Sequence, residues 1–269
     1  MNGRLEKISD SDYKGVLVNI LKYFDSLCRN AGIKYSLIGG SLIGAIRHNG
    51  IIPWDDDVDV ILMPEEYEKL IKALKKDNNK RYKALIPLET KGYYMPYMKI
   101  IDTRTQLVEE GVIQKKENGV FIDVFKFGYI QKEKSRRFYN KTVFLRSLLA
   151  GTIETKRKND CIKNIAKNIR RITLGKVIKY EWIIKRYDKL FCNSPTGYLI
   201  SNWPCQGADK DTQKVEYLQS YVDHEFENMK AMIFKDYDIV LKTTFGDYMT
   251  PPPKEQRESK HNMTAYWKR

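Results

Sequence analysis

Three absences narrow the class of protein before any motif is considered. The four cysteines, Cys28, Cys161, Cys192 and Cys205, are widely spaced without a C-x-x-C pair, which argues against a disulfide framework and a zinc site. No apolar run approaches the roughly 18 residues of a membrane span, and the first ten residues lack the apolar core of a secretory signal. With 269 residues and 42% hydrophobic content, the sequence predicts a globular, cytoplasmic, enzyme-sized protein with reduced thiols.

Acidic residues are also scarce in the middle of the chain. The net charge is +14, and residues 131–190 hold 18 Lys/Arg against 5 Asp/Glu, which gives this segment alone +13. A basic block of this density attracts a phosphate-rich partner, which is a nucleic acid, an anionic membrane surface or a polyanionic substrate. The alternative is a set of solvated helix faces.

Helical and strand patterns alternate in the first half of the chain. Apolar residues recur at helical spacing over 9–30, and a short buried strand follows over 33–38. A turn at 39–41 then leads into a short helix, and polar and apolar residues alternate over 57–62. Further strands are predicted over 82–88, 94–101, 105–109 and 119–125.

Strand signals fade beyond residue 128. Helical patterns replace them near 133–153, 159–173 and 177–192, and one more helix is predicted over 238–245. We therefore predict an α+β fold in which a mixed β-sheet is flanked by helices. Its predicted parts are a catalytic core over 1–130, a basic helical insertion or subdomain over 131–195, and a C-terminal segment over 196–269 that packs back on the core.

Four carboxylates fall within the five positions 55–59. On a strand, Asp57 and Asp59 would share one face while Val58 points to the other. Adjacent carboxylates repel and raise each other's pKa unless a cation lies between them. Mg²⁺ is a suitable cation, because it binds one or two carboxylates together with substrate phosphates. Mn²⁺ is an alternative ion. An acidic turn leading into a strand is the alternative to a metal site.

A phosphate cradle is predicted just before this cluster. Gly40 and Ser41 follow a strand and precede a helix, so they offer backbone N–H groups, a hydroxyl and the positive end of a helix dipole. The helix then carries Arg47 and His48. The order of strand, glycine-serine turn, helix and aspartate-bearing strand places a phosphate cradle opposite a metal platform.

Two charged residues stand within apolar strands further along the chain. Asp123 lies between Ile122 and Val124, where a lone carboxylate is costly unless charge or hydrogen bonds compensate it. Metal ligation or general-base catalysis would explain it, as would a satisfied core aspartate. Lys99 is likewise flanked by apolar residues and would neutralise a donor phosphate or form a salt bridge.

Residues 37–59 resemble the LicD family, a branch of the nucleotidyltransferase superfamily that also includes the fukutin-type enzymes. Residues 119–125 and 245–253 reinforce the resemblance. It implies a nucleotidyltransferase-like core in which Gly40-Ser41 holds phosphate.

The resemblance also implies the metal ligands: Asp57 and Asp59 form the metal pair and Asp123 is the third carboxylate. Because the interval from Gly40-Ser41 to the aspartates exceeds the superfamily's usual gap, Asp55 or Asp56 can replace one of these ligands.

The implied reaction is transfer of phosphocholine from CDP-choline, or of a related phospho-alditol from a CDP-linked donor, to a sugar hydroxyl of a cell-surface glycan, teichoic acid or capsule precursor, with release of CMP. Arg47 and Lys99 would share the charge of the leaving CMP. Asp123 would bind a second metal or accept the proton of the attacking hydroxyl, and His48 is a competing base. Trp54 joins the donor-binding candidates.

The quaternary ammonium of choline requires aromatic faces, because it accepts no ordinary hydrogen bond. Candidates by chain position are Trp54, Tyr93, Tyr94, Tyr97 and Trp203. The acceptor is expected to be a lipid-linked or free glycan, and the basic block would then contact anionic lipid at the inner membrane face. Nucleic acid is not a partner in this interpretation.

Two other functions remain open. A template-free nucleotidyltransferase would use the same metal site to move a nucleoside monophosphate to RNA or a small molecule, releasing pyrophosphate. A non-enzymatic basic binding module would carry the aspartates only as an acidic patch.

Overall fold

The computed structural model describes residues 5–109, 118–153, 178–257 and 263–268. The helices of these residues are α1 (Asp10–Asn30), α2 (Gly39–His48), α3 (Pro64–Lys76), α4 (Ser135–Ile153), α5 (Tyr180–Asp188), α6 (Ala208–Asp211) and α7 (Tyr237–Phe245). Short 3-10 turns occur at Lys132–Lys134, Val215–Leu218 and Lys254–Gln256. The helix predicted over 159–173 lies outside the described residues.

The strands of the same residues form two sheets and a separate hairpin. They are β1 (Leu5–Lys7), β2 (Ser36–Leu37), β3 (Asp59–Leu62), β4 (Tyr82–Leu85), β5 (Met98–Asp102), β6 (Thr105–Glu109), β7 (Phe121–Ile130), β8 (Tyr198–Ser201), β9 (Thr212–Lys214), β10 (Tyr221–Phe226), β11 (Met229–Phe234) and β12 (Met263–Lys268).

The larger sheet has the strand order β2-β3-β7-β5-β4. Strands β3 and β7 run parallel, whereas β7 is antiparallel to β5 and β2 is antiparallel to β3. The second half of β7 pairs with β8, which in turn pairs with β9. The prediction of an α+β fold with a mixed sheet is therefore confirmed.

Helix α1 shows how the sequence builds the layer behind this sheet. The Ser9 side chain accepts a hydrogen bond from Asp12 N (3.2 Å), which satisfies one of the free N–H groups of the first turn. The buried stripe of α1 packs into the main core, and full burial of each large apolar side chain contributes about 1.5–3 kcal/mol. The stripe consists of Val16, Leu17, Ile20, Leu21, Phe24 and Cys28.

The prediction that strands end near residue 128 is wrong. Strands β8 and β9 are only four and three residues long, too short to show a clear alternation of polar and apolar residues. The hairpin β10–β11 carries several exposed polar positions, and β12 lies between β1 and β6 in the smaller sheet. Long-range pairing, rather than local preference, defines these strands.

Helices were correctly predicted at 133–153 and 177–192, where α4 and α5 lie. They pack on each other through Leu145, Leu148 and Leu149 of α4 and through Ile183 and Tyr187 of α5. Within the described ranges, none of the helices combines the length and the apolar character that crossing a bilayer requires.

Candidate active site

The glycine segment begins helix α2 instead of preceding it. Gly39 is the first residue of α2 and has φ +60°, a conformation that glycine adopts without steric cost. A Cβ added to Gly40 would lie 2.6 Å from Asp55 Oδ2, and one added to Gly39 would lie 3.7 Å from Asp59 Oδ2. The two glycines therefore allow these carboxylates to approach the positive N-terminal end of α2.

Ser41 links this helix to the acidic strand. Its side chain is buried, and its Oγ accepts a hydrogen bond from Asp59 N at 2.8 Å. The hydroxyl thereby fixes the start of β3 against α2. That the Ser41 hydroxyl also contacts a phosphate stays a prediction.

Asp59, Asp123 and Lys99 form a row across three neighbouring strands. The register places Asp59 of β3 opposite Asp123 of β7, and Asp123 opposite Lys99 of β5. Lys99 Nζ lies 2.9 Å from Asp123 Oδ1 and 3.0 Å from the centre of the Phe121 ring. Because paired residues lie on the same face of a sheet, the three charged side chains form one line.

The surroundings of Asp59 oppose ionisation of its carboxyl group. Burial, together with the charges of Asp57, Asp123 and Asp55, raises the pKa of Asp59 well above its ordinary value, and Lys99 opposes this shift only in part. Asp59 Oδ1 is buried and has no hydrogen-bond partner among the described residues. A cation beside this oxygen would satisfy it.

Residues 49–58, between α2 and β3, form a loop that carries three more carboxylates and is called the acidic loop below. Ligand oxygens of Asp55, Asp56 and Asp57 all lie within 4.8 Å of one another. Strand β3 begins at Asp59, so Asp57 lies in this loop and the expected strand from residue 57 is too long. Strand alternation therefore does not explain how Asp57 is placed, although Asp57 and Asp59 line the same cavity.

Contacts from distant parts of the chain hold the acidic loop. Tyr13 of α1 donates a hydrogen bond from its hydroxyl to Asp56 O (3.1 Å). Glu227, in the turn between β10 and β11, accepts a hydrogen bond from Ile51 N (2.8 Å), and its own N–H donates to Asn49 O (2.7 Å). Glu227 was not predicted, because nothing in its local sequence pattern links it to a loop that is 176 residues away.

A cavity of about 910 Å³ opens beside these carboxylates. Its lining includes Asp55, Asp57, Asp59 and Asp123 together with Gly39 and Gly40. It also includes a group of aromatic residues: Trp54, Tyr97, Phe125, Phe127, Trp203 and Phe245. Gly39, Gly40 and the acidic residues therefore face a common space with an apolar, aromatic part. Ser41, the second residue of the predicted cradle, is not among the described residues that line it.

Three of the aromatic residues suggested for choline line this cavity. Tyr97 and Trp203 pack edge to face with ring centres 5.2 Å apart, and Trp54 lines the cavity near the acidic loop. The other two, Tyr93 and Tyr94, are not among the described residues that line the cavity. The Tyr93 hydroxyl instead donates to Tyr97 O (2.7 Å), so Tyr93 supports Tyr97 from the core.

Arg47 and His48 lie at the C-terminal end of α2. They are not among the described residues that line the cavity. Arg47 Nη1 donates to Tyr248 O (2.8 Å), while burial and the nearby charge of Arg257 lower the pKa of Arg47. Burial and Arg47 likewise lower the pKa of His48, whose ring lies 6.0 Å from that of Trp54. Their roles in donor binding and proton transfer stay predictions.

Asp211 is a cavity residue that the sequence analysis did not single out. It accepts hydrogen bonds from Gln206 N (2.8 Å) and Gly207 N (2.9 Å), and burial raises its pKa. It follows a stretch without strong periodicity, and only the tertiary fold brings it to the cavity.

Residues 32–157 match a family model described as "LicD/FKTN/FKRP, nucleotidyltransferase domain". This chain carries a LicD family domain. The matched range contains the start of α2, the acidic loop and the Asp59–Asp123–Lys99 row. Trp203, Phe245 and Asp211 also line the cavity, but they lie outside the matched range.

The LicD resemblance extends well beyond the domain in one relative. The chain is 29% identical over 274 residues to the lipopolysaccharide cholinephosphotransferase LicD of Haemophilus influenzae, covering 97% of this chain and 99% of that protein. A shorter segment of 45 residues is 49% identical to the human ribitol 5-phosphate transferase FKRP, covering 17% of this chain and 9% of FKRP. An uncharacterised protein of Rickettsia prowazekii is 29% identical over 150 residues, 55% of this chain and 52% of that protein.

Proposed function

We propose that this chain is a phosphotransferase that moves phosphocholine from CDP-choline to a sugar hydroxyl of a cell-surface glycan precursor and releases CMP. The observation that carries the proposal is the row of Asp59, Asp123 and Lys99 beside a cavity that also contains an aromatic wall. The whole-length similarity to a lipopolysaccharide cholinephosphotransferase supports phosphocholine as the transferred group. The fold is proposed to be nucleotidyltransferase-like, with the core, basic subdomain and C-terminal segment divided at residues 130 and 195.

The acidic residues fit a divalent ion. Their donor atoms are all oxygens, several lie close together, and the buried Asp59 Oδ1 lacks a hydrogen-bond partner among the described residues. Asp57, Asp59 and Asp123 would hold Mg²⁺ or Mn²⁺, with Asp55 and Asp56 as alternative ligands. When bound, the ion would neutralise charge on the donor diphosphate.

The chain's own residues would align the reactants and move one proton. The sugar oxygen forms a bond to the phosphorus of phosphocholine as the bond from that phosphorus to CMP breaks, and the bonding pair leaves on CMP. Asp123 either completes the metal site or, where Asp57 and Asp59 hold the ion, accepts the hydroxyl proton on a carboxylate oxygen. Lys99 holds Asp123 in place through their 2.9 Å ion pair. N–H groups at Gly40 and the start of α2 would bind phosphate oxygens.

The aromatic wall would select choline over other alcohols. Tyr97, Trp203 and Phe125 form a contiguous cluster, with ring centres 5.2 Å and 4.7 Å from Tyr97. Aromatic faces attract a quaternary ammonium electrostatically, by about 0.5–2 kcal/mol per ring. A ribitol or glycerol group gains no such attraction, so these rings would favour CDP-choline among CDP-linked donors.

The acceptor is proposed to be a lipid-linked or free glycan at the cytoplasmic face of the membrane. Helices α4 and α5 expose Phe144 and Trp182, whose exposed fractions are 47% and 45%. Exposed Lys141, Lys185 and Arg186 lie on the same two helices, and the Arg186 guanidinium lies 5.0 Å from the Trp182 ring centre. Aromatic and basic side chains together favour peripheral contact with an anionic membrane.

Donor binding and product identity test the proposal together. Thermal melting in Mg²⁺ is measured with CDP-choline, CDP-ribitol, CDP-glycerol, CTP and ATP, for the wild type and Asp59→Asn. A ligand at a hundred times its dissociation constant adds about 2.7 kcal/mol of stability, which is readily detected. We expect CDP-choline to stabilise the wild type most, and Asp59→Asn to lose the effect.

Two further readouts separate the alternatives. Trp203→Ala should weaken binding of CDP-choline and leave CDP-glycerol unchanged, because only choline uses the aromatic wall. Release of pyrophosphate from CTP or ATP, without CMP release from CDP-choline, would reject phosphocholine transfer in favour of a nucleotidyltransferase.

A further inference from the structure

A second, smaller cavity adjoins the candidate active site. Its volume is about 320 Å³, and Gln213 lines both cavities. Thr212, Lys214 and Thr243 line the smaller cavity, whereas Thr244 lines the larger one. The strand β9 and the end of α7 therefore form a common wall, and a molecule in the smaller cavity lies next to the reaction space.

The smaller cavity combines two cations with two aromatic rings. Lys132 Nζ lies 5.4 Å from the centre of the Tyr198 ring, and Lys214 Nζ lies 5.6 Å from that of Tyr217. All four residues line the cavity. Tyrosine faces pack against the apolar faces of sugar rings, and lysine ammonium groups bind phosphate or carboxylate.

Acidic groups only partly offset the two lysines. Asp209 is the acidic residue of the described lining, and Glu216 accepts a hydrogen bond from Lys214 at 3.2 Å on the exposed rim. An exposed ion pair of this kind contributes little, so an incoming anion can displace it. Asp209 provides an acceptor for a sugar hydroxyl.

Gln213 supplies the link to the reaction space. It is almost fully buried, and its Nε2 donates to Lys210 O (3.2 Å) and Thr244 Oγ1 (3.1 Å). These bonds fix the orientation of the amide, while its Oε1 accepts no hydrogen bond from any described residue. A carbonyl oxygen on a side chain that is held in place in the wall between two cavities is suited to accept a hydrogen bond from a sugar hydroxyl.

We propose that the smaller cavity is the acceptor subsite, and that it holds a sugar unit carrying a phosphate or carboxylate group. Lys132 and Lys214 bind the anionic group, Tyr198 and Tyr217 pack on the ring, and Gln213 orients the chain of sugars toward the larger cavity. The choice of a glycan acceptor rests on the proposed phosphotransferase function. The acceptor glycan would therefore carry an anionic sugar next to the sugar that receives the phosphocholine group.

Direct binding tests this subsite without requiring turnover. Saturation-transfer NMR titrations give dissociation constants for glucose 6-phosphate, glucuronate, glucose and inorganic phosphate. We expect at least one anionic sugar to bind the wild type more tightly than glucose or inorganic phosphate. Comparison of glucose 6-phosphate with glucuronate distinguishes phosphate from carboxylate as the recognised group.

Variants locate that binding. Lys132→Ala/Lys214→Ala should weaken binding of the preferred anionic sugar by about tenfold, since each charge-assisted hydrogen bond is lost. Gln213→Ala should weaken both charged and neutral sugars. The control Lys76→Ala/Lys235→Ala removes the same charge from exposed positions on α3 and after β11 and should have no effect.

Equal affinity of the anionic sugars for the wild type and Lys132→Ala/Lys214→Ala would overturn the proposal. So would binding of inorganic phosphate as tight as that of glucose 6-phosphate, because the sugar would then make no contact. Thermal shifts with CDP-choline on the same proteins keep the two proposals apart. If the sugars bind as expected but CDP-choline does not, the subsite stands and the proposed donor is wrong.

Discussion

Replacing Asp59 by asparagine should make the metal-free protein more stable while abolishing its activity. The pKa of Asp59 is raised by burial and by three neighbouring carboxylates, so ionisation of its carboxyl group opposes folding. Asparagine keeps the shape of the side chain and removes the charge.

Removal of one buried charge that lacks full compensation should raise the unfolding free energy by on the order of 1–3 kcal/mol at pH 7.5 in EDTA, which is about 2–4 °C of melting temperature per kcal/mol. The sign follows from the direction of the shift. A group whose pKa is raised in the folded state stabilises it most at acidic pH, and this contribution is lost as the pH rises through the raised pKa. Adding Mg²⁺ should then stabilise the wild type and leave Asp59→Asn unchanged.

Asp102 provides a matched control in the same sheet. It is fully buried, and although burial opposes its ionisation, hydrogen bonds from Arg104 and Arg81 hold its pKa below the ordinary value. Asp102→Asn should therefore destabilise the protein by about 1–3 kcal/mol. The stabilising contribution of Asp102 is present above its unfolded pKa and is lost as the pH falls through its lowered pKa.

Urea denaturation of the three proteins, with EDTA and with Mg²⁺, checks these signs. If Asp59→Asn proves less stable than the wild type in EDTA, like-charge repulsion does not dominate at this position. If Mg²⁺ stabilises the wild type and Asp59→Asn equally, Asp59 is not a ligand of the ion.

Three further changes should have separable effects. Gly40→Ala should lower turnover of CDP-choline by about tenfold or more, because its Cβ would lie 2.6 Å from Asp55 Oδ2 and displace the acidic loop. Glu227→Ala removes the acceptor of a backbone N–H in that loop and should lower the unfolding free energy by about 1–2 kcal/mol, measured in urea. Phe144→Ser/Trp182→Ser should reduce cosedimentation with phosphatidylglycerol vesicles without changing turnover of a water-soluble acceptor.

Each of these changes has a control on the same kind of element. Gly15→Ala in α1 adds a Cβ that meets no atom within 4 Å and should stabilise the protein by about 0.5–1 kcal/mol. Glu225→Ala removes an exposed carboxylate of β10 and should leave stability unchanged. Ile239→Ser replaces an exposed apolar residue of α7 and should leave vesicle binding intact. Matching losses in a variant and its control would contradict the role assigned to that variant.

The parts of the fold found from the sequence have strong local signals. Twenty-one residues of helical periodicity predicted α1 almost to its ends, and the alternation over 105–109 predicted β6. The acidic cluster and the isolated Asp123 were visible because charge in an apolar strand is expensive. Both Asp59 and Asp123 do line one cavity.

The missed parts depend on contacts between distant residues. Strands of three or four residues, such as β8 and β9, have little intrinsic preference and exist because the end of β7 offers backbone partners. The register that aligns Asp59 with Asp123 joins residues 64 positions apart, and no pattern in either strand specifies it. Trp203 reaches the aromatic wall in the same way, through the fold of the segment after β8.

The hydrogen bond between Glu227 and the acidic loop also sets an order of events during protein synthesis. The loop over 49–58 leaves the ribosome long before the β10–β11 turn that holds it has been made. A nascent chain that ends between residues 123 and 226 therefore contains every proposed metal ligand but lacks Glu227, which holds their loop. Ion binding by such truncated chains should be weaker than by the full chain, so the acidic site is complete only after the β10–β11 turn has been made.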